Sequence, residues 1–132
     1  MVINFNPKYI PGDIVYNHKK EIIRITSSYL KGTKLFYYRD GEYGWIREDA
    51  IKPIPLTPEI LKKNGWRTQN RWYYYLDVAE GFISYIGIDF KHKSNKGHLY
   101  VEVDGNNMVE IQYCHELQHL LFGLGLNSEM EV

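Results

Sequence analysis

The 132-residue sequence predicts an α+β fold: an N-terminal SH3-like small β-barrel, a connector helix, and an antiparallel β-meander covered by a C-terminal helix. Three observations predict it. Short β-rich runs separated by turn residues fill the first part, a segment carrying nearly every short-helix signal follows, and leucines recur at helical spacing near the end. The parts are an SH3-like β sub-domain over 1–56, a connector helix over 57–65, and sheet plus helix over 66–132, packed as one compact unit. Sub-domains of about sixty residues are marginal alone, so their apolar clusters are expected to be contiguous.

In the first part the strand candidates are Gly12 to Tyr16, Glu21 to Tyr29, Lys34 to Tyr38, Tyr43 to Arg47 and Ala50 to Ile54, with reversals at Lys31-Gly32 and Asp40-Gly41. Strands this short cannot shield their apolar faces as a flat open sheet, and curling into a small barrel solves that. In the connector, Thr57 caps, Pro58 suits the first helical position, and Glu59 complements the positive dipole end. Lys62 and Lys63 suit the other end, and Gly65 permits a left-handed stop. Long strand candidates follow at Arg71 to Val78 and Gly81 to Phe90 around an Ala79-Glu80-Gly81 reversal, then a basic loop from Lys91 to Gly97 and a strand from His98 to Val103. The cover is a helix from about Gln112 to Leu124 bearing Leu117, Leu120, Leu121 and Leu124. Its approach is open to two readings: Asn107 and Glu110 fit a capping box, and Met108 to Ile111 fits a short strand.

Composition restricts the function classes. With 44% hydrophobic and 24% charged residues the chain buries a real core and is not a disordered polymer. The single cysteine, Cys114, excludes an internal disulfide framework. The longest apolar stretch, Leu120 to Leu126, falls far short of the roughly 20 residues of a membrane helix, and the opening residues lack a signal-peptide pattern. A cytoplasmic protein with no membrane partner is the expectation. Zero net charge hides an asymmetry: residues 1–71 carry 13 Lys/Arg against 7 Asp/Glu, and residues 72–132 carry 3 against 9. Phosphate-binding, dinucleotide-binding and serine-hydrolase motifs are absent from the sequence, and Cys114 has no basic neighbour to activate it.

His115-Glu116-Leu117-Gln118-His119 matches the H-E-x-x-H signature and resembles the zincin peptidases over this turn and a half. Residues four apart share a helix face, so two imidazoles can bind one Zn²⁺ while a glutamate acts as base on the bound water. In that alternative reading His115 and His119 are zinc ligands, Glu116 is the catalytic base and Glu129 the third ligand. The match goes no further, since Phe122 and Gly125 stand where a metzincin continuation has glycine and histidine. At about 100° per residue, the leucine stripe lies opposite His115, Glu116 and His119, which are therefore expected to face solvent.

A binding module without cofactor is the leading expectation. Trp72-Tyr73-Tyr74-Tyr75 places alternate rings on opposite strand faces, and Tyr37, Tyr38, Tyr43 and Trp45 gather near a barrel hairpin. Tyr37, Tyr43, Trp45, Trp72 and Tyr74 are the candidate binding residues for a host protein or small ligand. Basic residues of the first half, with Lys91 to Lys96, make nucleic-acid binding a further alternative.

Taken together, Pro11-Gly12-Asp13-Ile14-Val15, Gly44-Trp45-Ile46, the Ile51 to Gly65 segment and the His115 helix resemble a group of small proteins encoded by gut-bacterial phages and related mobile elements. The Pro53 to Glu59 segment is the most specific part. The resemblance implies no activity, ligand or catalytic residue. It implies the setting of an accessory gene that engages a host protein, nucleic acid or signalling nucleotide.

Overall fold

Among the residues described by the computed structural model, 8–40, 44–78 and 81–132, nine strands form two antiparallel sheets, each in chain order. The first contains β1 (Ile14–Tyr16), β2 (Ile22–Lys31), β3 (Lys34–Arg39) and β4 (Trp45–Arg47). Lys31 pairs with Lys34, which leaves Gly32-Thr33 as a two-residue hairpin loop with Gly32 at φ 64°. After β4 the chain makes a 3-10 turn, Glu48–Ala50, and returns to β1 through paired Tyr16 and Lys52 backbone groups at 2.8 and 2.9 Å. This return replaces the strand expected over Ala50 to Ile54: Lys52 alone makes a bridge, because Pro53 and Pro55 remove the donors a longer ladder needs. The expected Asp40-Gly41 and Ala79-Glu80-Gly81 reversals lie partly outside the described residues.

The connector forms helix α1 (Pro58–Lys63). Thr57 Oγ1 accepts from the Ile60 N–H at 3.3 Å, and Gly65 follows at φ 85°. Leu61 is fully buried, which anchors so short a helix. Thr57→Ala should cost about 1 kcal/mol in urea unfolding, and Thr57→Ser should restore most of it.

The second sheet runs β5 (Arg67–Thr68), β6 (Tyr73–Asp77), β7 (Tyr85–Lys93), β8 (Leu99–Val103) and β9 (Asn106–Ile111). Strand β7 starts later than its apolar pattern suggests because Asp104 Oδ1 takes the Ser84 and Tyr85 N–H groups at 2.8 and 3.0 Å. At its other end it runs on to Lys93 past a bulge, so the first three of the seven residues of the expected basic loop are strand. Asp104 and Gly105, at φ 52° and 86°, form the two-residue reversal into β9. That turn decides the open reading of Asn107 to Ile111 in favour of a strand.

Helix α2 (Cys114–Gly123) covers this sheet. Its core contains Leu117 and Leu121 with Ile86, Ile88, Val101 and Ile111, and it reaches Ile14 of β1. A second cluster fills the first sheet: Tyr9, Val15, Ile23, Ile25, Tyr37, Ile46 and Ile51. Adjacent residues of one strand thus serve two cores, Ile14 facing one and Val15 the other. The sub-structures are stitched further where Cys114 N–H donates to Ile54 O at 2.8 Å and Leu56 N–H to Gln112 O at 3.1 Å. No helix among the described residues is long and apolar enough to cross a membrane.

Candidate functional site

The H-E-x-x-H segment occupies the first turns of α2, and the side expected to face solvent is packed against the first sub-structure. His115 is 4% exposed and Gln118 2%. Gln118 Oε1 accepts from Ile14 N–H at 3.0 Å, while its amide nitrogen donates to Gly12 O at 2.9 Å and Ser128 O at 3.0 Å. His119 Nε2 is 2.7 Å from Asp13 Oδ2, which also accepts from Ile10 N–H at 2.9 Å. The leucine stripe correctly marks one buried face. The second escaped notice because a polar surface whose hydrogen bonds are completed by another element buries without apolar residues.

His115 lies among rings, with Tyr9 edge-on at 5.0 Å, Tyr113 stacked at 5.9 Å and His119 edge-on at 5.5 Å. Its Nδ1 is buried and lacks a hydrogen-bond partner. Burial, aided by the positive charge of Lys8 and by His119, drives its pKa from 6.5 down to about 4 against the pull of Glu116. Asp13 is shifted upward by loss of solvent, tempered by the Ile10 N–H and by His119. Cys114 is fully buried with Sγ 3.8 Å from Pro55 O, and burial lifts its thiol to about 12, which removes it as a nucleophile near neutrality.

Glu116 and His119 make contacts other than those a zinc peptidase centre would use. Glu116 Oε1 accepts the Gln112 and Tyr113 N–H groups, both at 3.0 Å, so the carboxylate caps the helix. His119 holds Asp13 with the nitrogen that would be needed for metal. Glu129 is exposed in a turn where its own N–H donates to Asn127 Oδ1 at 3.1 Å. Among the described residues no three His, Cys, Asp or Glu side chains are grouped to hold a metal ion.

The binding candidates divide by strand parity. Tyr37 is fully buried, with its hydroxyl donating to Glu48, and Tyr74 is 2% exposed, edge-on to Phe90 at 5.6 Å. Both are core residues, a correction to their expected role. Tyr43 lies outside the described residues. Trp72 is exposed beyond the end of β6 with the Arg71 guanidinium 5.1 Å over its ring. Trp45 is part of a true cluster: Phe36 at 4.3 Å, Tyr29 at 4.7 Å and a parallel Tyr38 at 6.4 Å surround it, and Lys31 Nζ is 5.6 Å above its ring. Tyr29, Tyr38 and Trp45 are all more than a third exposed.

The cluster follows from register. Tyr29 faces Phe36 across one strand pair and Tyr38 faces Trp45 across the next, so four aromatic side chains share the outer face of the curled sheet. Phe36 was missed as a candidate because Leu35-Phe36-Tyr37-Tyr38 is apolar without interruption, which leaves the inward phase undetermined, and Tyr29 joins the cluster only through its cross-strand pairing with Phe36. No family model and no curated protein matches the sequence, and no solved structure matches the fold.

Proposed function

We propose that the protein is a non-enzymatic binding module, an accessory of the phage or mobile-element kind, that engages a partner through the outer aromatic face of an SH3-like barrel. The observation that supports this reading is the group of exposed Tyr29, Tyr38 and Trp45 packed with half-buried Phe36 on one face of the sheet. Aromatic rings packed on one another bind with little further loss of side-chain freedom, which favours recognition. Four strands, a 3-10 turn and a return to the first strand support the barrel reading. Two of the groups a catalytic reading would use are otherwise engaged, Glu116 in helix capping and His119 in the Asp13 contact.

Lys31 and the facing Lys34 at the rim favour single-stranded nucleic acid as a second reading for the same face, since bases stack on rings and phosphates pair with cations. Immobilised protein should retain a discrete partner from bacterial lysate, and Trp45→Ala should reduce retention about tenfold while Trp72→Ala leaves it intact. Equal retention by wild type and Trp45→Ala would overturn the assignment of this face. Salt-sensitive quenching of tryptophan fluorescence by a single-stranded oligonucleotide, lost in Trp45→Ala, would select the nucleic-acid reading.

A further inference from the structure

The second sheet has an outer face of different character. Tyr73, Tyr75 and Asp77 project from β6 on the side opposite Tyr74, and Tyr85 of β7 lies directly across from Asp77. With Gln69 they line a cleft of about 400 Å³. Its floor depends on Gly87: a Cβ there would come within 2.0 Å of the Tyr73 hydroxyl, so the absent side chain lets the Tyr73 ring lie across the sheet. The Tyr73 hydroxyl donates to Glu102 Oε2 at 3.0 Å, which fixes the ring.

Three tyrosines around one exposed carboxylate suit a weakly hydrated organic cation, because ring faces attract the charge and the carboxylate directs it. The chain itself supplies a stand-in. The Arg67 guanidinium carbon is 5.9 Å from the Tyr75 ring centre, and its Nη1 is 3.6 Å from Asp77 Oδ2. Both partners are exposed, at 71% and 62%, so the contact is loose and easily displaced. The surrounding charge points the same way, since residues 72–132 carry 9 acidic groups against 3 basic ones.

We propose that the Tyr73, Tyr75, Tyr85 and Asp77 cleft binds the guanidinium of an arginine side chain presented by a ligand, with Arg67 as the internal competitor. The site is separate from the barrel's aromatic face and stands whether or not that face binds a partner. A guanidinium is favoured over an alkylammonium because its flat fork can stack on a ring and bond Asp77 at once.

Titration of the ¹⁵N-labelled protein with N-acetyl-arginine amide tests this by NMR. Saturable shifts confined to residues 73–77 and 85–87 are expected, with Kd in the low millimolar range or about 1 mM. Asp77→Asn should weaken binding about fivefold or more, and Arg67→Gln should tighten it about two- to fivefold by removing the competitor. Both substitutions are at exposed side chains and should leave the remaining spectrum unchanged. The proposal fails if no saturable shift appears, if N-acetyl-norleucine amide gives the same response, or if Asp77→Asn binds as wild type. It also fails if Arg67→Gln binds more weakly, or if N-acetyl-trimethyllysine amide binds as tightly as the arginine compound.

Discussion

Gln118→Ala should lower folding stability by about 3 kcal/mol, a fall of roughly 10 °C in Tm, without altering the aromatic face. Gln118 is 2% exposed and serves as a three-way connector between β1, the turn before it and the segment after α2. Truncation leaves the Ile14 N–H unsatisfied, takes a donor from the Ser128 carbonyl and from the Gly12 carbonyl, which keeps only Arg24 Nη1 at 3.2 Å, and opens a hole where the amide was. An unmet buried polar group costs about 1–3 kcal/mol, and the lost contacts add to it. Gln118→Leu separates the causes because it keeps most of the volume but none of the hydrogen bonds. Urea unfolding should show nearly the same loss for Leu as for Ala. A loss under about 1 kcal/mol in both variants would mean that the junction is held by its apolar neighbours instead.

Acid should destabilise the protein through His115 over a defined window. In the fold this imidazole titrates near 4, against 6.5 for the exposed residue. As pH falls below 6.5 the unfolded chain takes up a proton that the folded protein refuses, so the contribution present above 6.5 is progressively lost down to about 4. Discounted for residual solvent screening, the loss is about 2 kcal/mol. Asp13 acts with the opposite sign: its raised pKa means that the fold takes up a proton before the unfolded chain does, which offsets part of the loss at the acid end. Lys8, Tyr9, Tyr113, Glu116 and His119 are ionisable groups around the ring. The difference between the stability–pH profiles of wild type and His115→Phe isolates the effect. Parallel profiles between pH 7 and 4.5 would show that His115 carries no proton-linked stability.

The connector was legible almost residue by residue. Thr57, Pro58, Glu59, Lys62, Lys63 and Gly65 act through groups within one turn of themselves, so nothing distant can overrule them. The β2–β3 hairpin was legible for the same reason, with Gly32 in the reversal. The candidate site was legible only in part. Trp45 was identified as a surface aromatic, yet Tyr37 and Tyr74 were placed at binding surfaces when they belong to the cores. Period-two alternation says that neighbours face opposite ways, and in a run such as Tyr73-Tyr74-Tyr75 it does not say which way is in.

By itself, then, the sequence determined what short-range chemistry controls: the helix α1 and its caps, the tight turns, the leucine face of α2 and the exclusion of a disulfide framework or a membrane-spanning helix. Tertiary structure alone decided the fate of His115, Glu116, Gln118 and His119. A helical wheel reports which face is apolar, and burial of the opposite face depended on Asp13, Gly12 and Ile14, more than 100 residues away in the chain. Those partners complete the hydrogen bonds of Gln118 and His119, and with the bonds met, a polar helix face packs as readily as an apolar one.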